Sequence, residues 1–168
     1  MSRDSKTSLL FVCLGNICRS PLAEGVFRHL ARERGVADFY EIESAGIGGW
    51  HVGEPADRRS AEVARKNGVS LYGAARQVAA SDFDRFDWII AMDRENLAAL
   101  EAIGRRKARR ARVQLLRDFD PDPGDGEVPD PYYGGPSGFD HVYSLVKRSA
   151  EALLERLEEE RTSSKGGS

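Results

Sequence analysis

One stretch near the N-terminus constrains the fold more than any other: a short apolar run leads into a polar loop and then into a helix. The run is Leu9–Val12, and its continuity is typical of a strand buried on both faces. The loop extends from Cys13 to Arg19, and Ser20 and Pro21 fit the N-cap and the first helical position. A loop entering a helix N-terminus directs backbone N–H groups and the positive end of the helix dipole at one spot. The stretch therefore predicts an anion site that contains a thiol.

The residue types of this loop suit a phosphate group. The field that attracts an anion also favours the thiolate of Cys13, which is the nucleophilic form, and Ser20 is placed to donate a hydrogen bond to it. Arg19 can direct two N–H donors at two phosphate oxygens. Between them, Asn16 tolerates left-handed dihedral angles and can bond to neighbouring backbone. The spacing alone also fits a buried structural cysteine beside a surface arginine.

Predicted strands and helices alternate along the chain. The strands are predicted at 9–12, 39–44, 87–92 and 113–116, and the helices at 20–34, 56–66, 82–86, 94–103 and from Ser137 onward. This order predicts an α/β fold: a four-stranded parallel sheet with helices on both faces, a Rossmann-like or flavodoxin-like three-layer sandwich. We expect one domain over residues 1–161 and a flexible C-terminal tail over 162–168. Ligands of such folds bind beyond the carboxyl ends of the strands, where Cys13 lies.

The composition excludes several classes of protein. The 168 residues carry 25 Lys and Arg against 27 Asp and Glu, a formal net charge of −2, so we expect no nucleic-acid or membrane binding. No apolar run approaches the roughly 20 residues of a membrane span, and the first residues lack a signal-peptide core. We therefore expect a cytoplasmic protein, with non-classical secretion left open. Two cysteines and three unpatterned histidines predict neither a metal site nor a cofactor.

A second motif supplies the proton donor that cleavage of a phosphate ester requires. Asp130 lies between Pro129 and Pro131, which restrict its backbone, and a fixed carboxyl is suited to general acid catalysis. Cys13 would attack phosphorus in line, and water would then release the phosphate. Taken alone, the second motif fits a rigid surface turn equally well.

Three aromatic residues would line a cleft for an aromatic substrate. Tyr132 and Tyr133 follow Asp130, and Trp50 lies in a glycine-rich loop. Beside that tryptophan, His51 is the histidine that we expect nearest the cleft.

The two motifs, 13–21 and 130–133, resemble the two signatures of the low-molecular-weight protein tyrosine phosphatases. The resemblance extends over about residues 8–157 and includes the shorter segments 44–46, 50–53, 75–77 and 91–93. The glycine-rich loop is most similar to that of bacterial members. The resemblance implies hydrolysis of phosphotyrosine in a protein or peptide, binding of phosphate, sulfate or vanadate in the same loop, and a monomer or weak dimer.

The resemblance also implies a role for each matching residue. Cys13 is the implied nucleophile, Arg19 binds the phosphate in the transition state, and Asp130 is the general acid. The implied phosphate-binding loop comprises Leu14, Gly15, Asn16, Ile17, Cys18 and Ser20, with Ser44 as its support. The implied substrate cleft is lined by Leu14, Ile17, Trp50, Tyr132 and Tyr133.

Two features leave alternatives open. The family often has a histidine bonded to the loop serine at the position where this chain has Gly73, so the support of Ser20 is altered or Tyr72 substitutes for it. Cys18 is implied to form a reversible disulfide with Cys13 that protects the nucleophile from irreversible oxidation, or it is a packed small residue.

Three other functions compete with hydrolysis of phosphotyrosine. Arsenate reduction on the same fold relays a disulfide through cysteines outside the loop, and this chain has none beyond Cys18. Protein-arginine phosphatases that resemble this chain carry threonine at the position of Ile17. A module that only binds phosphotyrosine has no need of the acid Asp130.

Overall fold

Four parallel strands form the sheet of this protein. The computed structural model describes residues 6–104, 110–131 and 136–166, and the elements below fall within those ranges. The strands are β1 (Thr7–Cys13), β2 (Tyr40–Gly46), β3 (Trp88–Ala91) and β4 (Arg112–Leu115). The helices are α1 (Arg19–Glu33), α2 (Arg58–Lys66), α3 (Asp82–Arg85), α4 (Arg94–Gly104) and α5 (Pro136–Gly166), with 3₁₀ helices at Ala37–Phe39 and Leu116–Phe119. The order of elements confirms the predicted α/β class.

The strand order, β2-β1-β3-β4, makes β1 a central strand. The chain leaves β1 through α1 to reach β2, then crosses back past β1 to reach β3, and every pairing is parallel. The connections on the two sides of β1 therefore run in opposite directions, which opens a crevice at its carboxyl end. Cys13, the last residue of β1, lies at that crevice.

Helices cover both faces of the sheet, as predicted. Leu9 and Phe11 of β1 point into a core shared with α1 and α5, whereas Leu10 and Val12 point into a second core shared with α3 and α4. All four side chains have no solvent exposure. The continuous apolar run of β1 thus reflects burial on two faces, because successive side chains of a strand point to opposite sides.

Several predicted helix boundaries are corrected by the structure. α1 begins at Arg19 with Cys18 as its N-cap residue, because the hydroxyl of Ser20 bonds within the loop and caps nothing. α2 begins at Arg58, two residues later than predicted, since Asp57 caps it by accepting the backbone N–H of Arg59 at 2.8 Å.

The last helix is longer at both ends than the sequence predicts. α5 starts at Pro136, so residue 137 lies inside the helix rather than at its cap, and it continues to Gly166, through most of the predicted tail. Within the described part of the chain, no helix combines the length and the apolar character needed to cross a membrane.

A buried polar cluster fastens α5 to the start of β2. Tyr40 Oη donates a hydrogen bond of 2.6 Å to Glu158, and Arg161 donates two more, of 2.7 and 2.8 Å, to the same carboxylate. The hydrogen bonds from Arg161 outweigh the opposing effect of burial and, together with Tyr40, hold the pKa of Glu158 below its ordinary value of 4.5. Burial and the contact with Glu158 raise the pKa of Tyr40, so the phenol keeps the proton it donates.

This cluster predicts a loss of stability in acid. A carboxyl whose pKa is lower in the folded state stabilises the fold above its unfolded pKa, and that contribution disappears as the pH falls through the folded value. We expect Glu158→Gln to flatten the dependence of the free energy of unfolding on pH below about 4.5, as measured by urea denaturation at several pH values. Glu159→Gln, at the exposed neighbouring position, is the matched control. Identical slopes for wild type and Glu158→Gln would contradict the assignment.

Candidate active site

The loop between β1 and α1 forms a cradle whose shape depends on two small features. Asn16 has a φ of 59°, the one positive value among non-glycine residues of the described ranges. Opposite the loop stands Gly46, where an added Cβ would lie 2.9 Å from the carbonyl carbon of Gly15 and 3.0 Å from the nitrogen of Asn16. Both neighbouring atoms belong to the backbone and cannot swing away, so the loop can close against β2 because position 46 has no side chain.

The side chain of Asn16 fixes this shape from inside. Its Nδ2 donates to Ser20 Oγ at 2.9 Å and to Ser44 Oγ at 3.0 Å, and its Oδ1 accepts the backbone N–H of Arg76 at 3.0 Å. Both amide hydrogens are therefore used, and the three partners come from α1, β2 and the segment before α3. A buried amide with this set of partners resists rotation, which makes the loop rigid before any ligand arrives.

The network continues outward to a charged pair. Ser44 Oγ donates to Glu24 Oε1 at 2.6 Å, and the other oxygen of Glu24 accepts a bond of 2.7 Å from Arg28. Since Ser44 gives its own hydrogen to Glu24, its oxygen is free to accept from Asn16. Sequence reasoning missed Glu24; its spacing of four residues before Arg28 on one helix face was the available signal.

Cys13 and Ser20 meet at the base of the cradle. Their Sγ and Oγ atoms are 3.0 Å apart, and both side chains are buried. Ser20 Oγ already accepts a hydrogen from Asn16, and the carbonyl of Ala45 is farther away at 3.4 Å. A thiolate at Cys13 carries no hydrogen of its own, so in that state the serine hydroxyl is the donor of this contact and stabilises the negative charge.

Tyr72 does not replace the histidine that the family resemblance implies. Its side chain is 61% exposed, whereas Ser20 is fully buried and is held by Asn16 and Ala45. The support of Ser20 is altered in that the loop asparagine holds it without the histidine, and the alternative in which Tyr72 substitutes is wrong.

Arg19 places a buried guanidinium beside the thiol. Its Nη1 donates to Asp93 Oδ2 at 2.6 Å and to the carbonyl of Val128 at 3.0 Å, while Nη2 lies 3.6 Å from Asp130 Oδ2. Burial opposes the charge, but the nearby Cys13, Asp93 and Asp130 raise the pKa of Arg19 above its ordinary value. Nε is buried and has no hydrogen-bond partner in the protein, so a donor is left for a bound anion.

Asp93 has two functions at once. Its Oδ1 accepts the backbone N–H of Asn96 at 2.8 Å and caps α4, and its Oδ2 binds Arg19. Asp93 ends the segment 91–93 that the family resemblance includes, and the structure shows that it makes both contacts. Because each partner binds a different carboxylate oxygen, Asp93 makes both contacts at the same time.

A cleft of about 340 Å³ opens above Cys13. Its lining combines the loop, the rim and the carboxyl motif: Cys13, Leu14, Gly15, Ile17, Cys18, Arg19, Trp50, His51 and Asp130. Leu14 and Trp50 expose 43% and 69% of their surfaces, so the rim is apolar while the floor is charged. The predicted wall residues Tyr132 and Tyr133 lie outside the described residues.

Asp130 faces the cleft from the side opposite the loop. Its carboxyl is 35% exposed and its Oδ2 is close to the guanidinium of Arg19. A partly exposed carboxyl at the wall of a cleft whose floor is a thiol can exchange a proton with a ligand that enters from solvent. The structure therefore brings together the thiol, the cation and the carboxyl that the sequence places 117 residues apart.

Cys18 differs from Cys13 in its electrostatic surroundings. Burial, followed by the negative charge of Asp57, raises the pKa of the Cys18 thiol to about 12. Both cysteines are free thiols in this structure. The disulfide between them stays a prediction, and the scarcity of a Cys18 thiolate at neutral pH predicts that it forms slowly.

Comparisons with known proteins agree on one family. The family model described as "Low molecular weight phosphotyrosine protein phosphatase" matches residues 8–163. Low molecular weight protein-tyrosine-phosphatase YfkJ of Bacillus subtilis is 45% identical over 155 residues, which cover 92% of this chain and 97% of that protein. The crystal structure of YfkJ superposes with a TM-score of 0.86 and 43% identity, covering 95% and 99% of the two chains. That of a Drosophila arginine phosphatase gives 0.84 and 34%, covering 89% and 96%.

The contrast between the two cysteines predicts unequal reactivity. We expect iodoacetamide at neutral pH to label Cys13 and to leave Cys18 unmodified in the folded protein, since the thiolate is the reactive form and Cys18 holds its proton. Peptide mapping by mass spectrometry measures both sites, and the unfolded protein, in which both cysteines are labelled, is the control. Preferential labelling of Cys18 would contradict the assignment.

The predicted disulfide between Cys13 and Cys18 is tested by the same peptide mapping after brief exposure to peroxide. A dominant sulfinic acid on Cys13 together with a free Cys18 thiol would argue against the disulfide.

Proposed function

Because this chain belongs to the low molecular weight phosphotyrosine protein phosphatase family, we propose that it hydrolyses phosphotyrosine through a phosphate ester formed on Cys13. Protein tyrosine phosphatases are hydrolases, and the chain is one of them. The observation that carries the proposed mechanism is the floor of the cleft, where a thiol in hydrogen-bond contact with Ser20 lies beside the unpartnered Nε of buried Arg19.

The first step transfers the phosphoryl group to the enzyme. The Cys13 thiolate attacks phosphorus in line, the S–P bond forms, and the bond between phosphorus and the tyrosine oxygen breaks. Asp130 gives its proton to that oxygen, so the leaving group departs as a neutral phenol. Arg19 and the amides of residues 14–19 hold the three remaining oxygens, on which charge is concentrated in the transition state.

The second step returns the enzyme to its starting state. Water attacks phosphorus, the S–P bond breaks, and Asp130, now a carboxylate, accepts the proton that the water loses. Inorganic phosphate leaves, and the thiolate is regenerated beside Ser20, whose hydrogen bond stabilises it as a leaving group.

The apolar rim supports an aryl phosphate as substrate. Trp50 and Leu14 stand above a charged floor, an arrangement that accepts a flat ring attached to a dianion. We propose proteins or peptides that carry phosphotyrosine as partners, and phosphate, sulfate and vanadate as ligands of the loop. A monomer or weak dimer and a cytoplasmic location belong to the same proposal.

Phosphoarginine is the second candidate substrate, because a solved structure 34% identical to this chain is titled an arginine phosphatase. Ile17, which lines the cleft, would present an apolar side chain to a charged guanidinium. We therefore expect phosphotyrosine to be the better substrate. A panel of phosphotyrosine, phosphoserine, phosphoarginine and arsenate compares these functions directly, and faster turnover of phosphoarginine would reverse the assignment.

Removal of the nucleophile should separate binding from chemistry. Cys13→Ser keeps the cradle and Arg19 but replaces sulfur by a far weaker nucleophile, so we expect turnover of p-nitrophenyl phosphate to vanish while inorganic phosphate still binds. Steady-state kinetics and calorimetric titration measure the two properties. Cys18→Ser, in the same loop, is the matched control and should keep most of the activity. A Cys13→Ser enzyme with normal rates would rule out the covalent mechanism.

Removal of the general acid should lower the rate of hydrolysis most for substrates with a poor leaving group. We expect Asp130→Ala to lower kcat/KM for a phosphotyrosine peptide by about 10²- to 10⁴-fold, the usual contribution of a general acid. The loss should be smaller for p-nitrophenyl phosphate, whose leaving group departs without a proton. Equal rates for wild type and Asp130→Ala on the peptide would remove Asp130 from this role.

A further inference from the structure

We propose that Arg117 is a positioning residue for the general acid. It holds the segment 120–130, here named the acid loop, and acts on the reaction through Asp130 without contacting the substrate. The proposal rests on the proposed role of Asp130 in the hydrolysis. It assigns a function to a buried arginine that the chemistry of the cleft does not itself use.

The guanidinium of Arg117 is dedicated to the acid loop. Its Nη1 donates to the carbonyl of Glu127 at 2.6 Å, and its Nη2 donates to those of Pro123 and Asp122 at 2.7 and 3.2 Å. Its Nε donates to the carboxylate of Asp120 at 3.1 Å. All three nitrogens therefore bind one loop, and the side chain is only 4% exposed. Burial of an arginine to this degree is costly unless its charge is paired, and Asp120 pairs the charge of Arg117.

The acid loop depends on this donor set because it has little regular structure of its own. After the 3₁₀ helix it contains three prolines, which lack an N–H group, and two glycines with positive φ, Gly124 at 56° and Gly126 at 81°. Carbonyl groups turned inward by such a path need donors from elsewhere. Arg117 supplies three of them from a single side chain, and its planar fork fixes the angles between them.

Asp120 ties the start of the loop to α5. Arg148 Nε donates to both of its oxygens, at 2.9 and 3.0 Å, and Ser149 Oγ donates at 3.3 Å. The backbone N–H of Asp122 also bonds to this carboxylate, at 2.8 Å. Asp120 thus neutralises the charge of Arg117 and restrains its guanidinium. The side chain is therefore held in one position.

Two residues, Val128 and Pro129, separate Glu127, which Arg117 binds, from the general acid Asp130. Glu127, whose carbonyl Arg117 binds, precedes Val128, which donates its N–H to the carbonyl of Met92 at 2.8 Å and accepts from Arg19 at 3.0 Å. Asp130 follows between two prolines, where the backbone has little freedom to absorb a displacement. A shift of the loop at position 127 is therefore passed on to the carboxyl. The competing possibility is that Val128 alone, held by Met92 and Arg19, sets the position of the acid.

Leaving-group dependence separates the two possibilities. Phosphotyrosine needs the proton of Asp130 more than p-nitrophenyl phosphate does, because its phenolate is the stronger base. We expect Arg117→Met to lower kcat/KM about 10- to 100-fold for a phosphotyrosine peptide, since displacements near 1 Å have effects of this size, and to change it by no more than about threefold for p-nitrophenyl phosphate. Arg117→Lys keeps the charge next to Asp120 but cannot bind three carbonyls. We therefore expect a smaller loss of kcat/KM that is again selective for the phosphotyrosine peptide.

A double variant tests whether the effect passes through Asp130. In the Asp130→Ala enzyme there is no acid to misplace, so adding Arg117→Met should cause no further selective loss on the peptide. Arg161→Met is the matched control, because it removes another arginine that binds a buried carboxylate, Glu158, elsewhere in the fold. It should affect both substrates equally. Thermal unfolding of each variant gives the folded fraction used to correct the rates.

The outcomes are distinct. A proportionate loss on both substrates for Arg117→Met would show a role in stability alone and overturn the proposal, as would a further selective loss in the Asp130→Ala background. If Asp130→Ala itself shows no selectivity, the role of the acid fails and this inference falls with it. Selectivity in Asp130→Ala without selectivity in either Arg117 variant overturns only the present proposal. Should Arg117→Met fail to fold, Arg117→Lys provides the same readout.

Discussion

The buried guanidinium of Arg19 is the interaction on which the rest of the site depends. A positive charge that is 2% exposed is stable only with compensation, and three parts of the chain provide it. Asp93 comes from the end of β3, Val128 and Asp130 come from the acid loop, and Cys13 comes from β1. Because one side chain collects these partners, the strand ends and the loop are brought to a common point. The charge proposed to bind phosphate is the same charge around which these segments are arranged.

A second polar centre keeps the loop between β1 and α1 in shape before a ligand binds. Asn16 has every hydrogen-bonding atom of its amide engaged, and its backbone is in a left-handed conformation. Transition-state stabilisation by fixed donors is efficient because the donors need no reorganisation at the moment of reaction. The chain of contacts from Asn16 through Ser44 to Glu24 ends in charge, which polarises the intervening hydrogen bonds in one direction.

Local sequence patterns were sufficient for the order of elements and for the principal chemical groups, whereas contacts between distant segments were not visible in them. The buried strand β1 and the restricted backbone of Asp130 could be predicted from the residues next to them in the sequence. The start of α2 could not: Asp57 donates its N–H to the carbonyl of Ile17 at 2.7 Å, which keeps the chain extended past residue 56, where the helix was predicted to begin. The same limit applies to Ser20, whose hydroxyl was expected at a cap and instead bonds to residues across the loop. The sequence pattern assigned no role to Arg117, because its burial and its bonds to the acid loop are visible only in the folded chain.

The absence of a side chain at position 46 has a consequence for how this enzyme can diverge. Behind the cradle, a Cβ at position 46 would lie only 2.9 to 3.1 Å from atoms of Gly15 and Asn16, so even a methyl group would displace the loop. In front, Leu14 and Trp50 expose large parts of their side chains to solvent at the rim. Sequence drift is therefore unequal on the two sides of one short loop. Residues of the rim can be substituted to suit new phosphorylated targets, while Gly46 behind the loop has to stay. The residues that select the substrate are therefore separate from those that perform the chemistry.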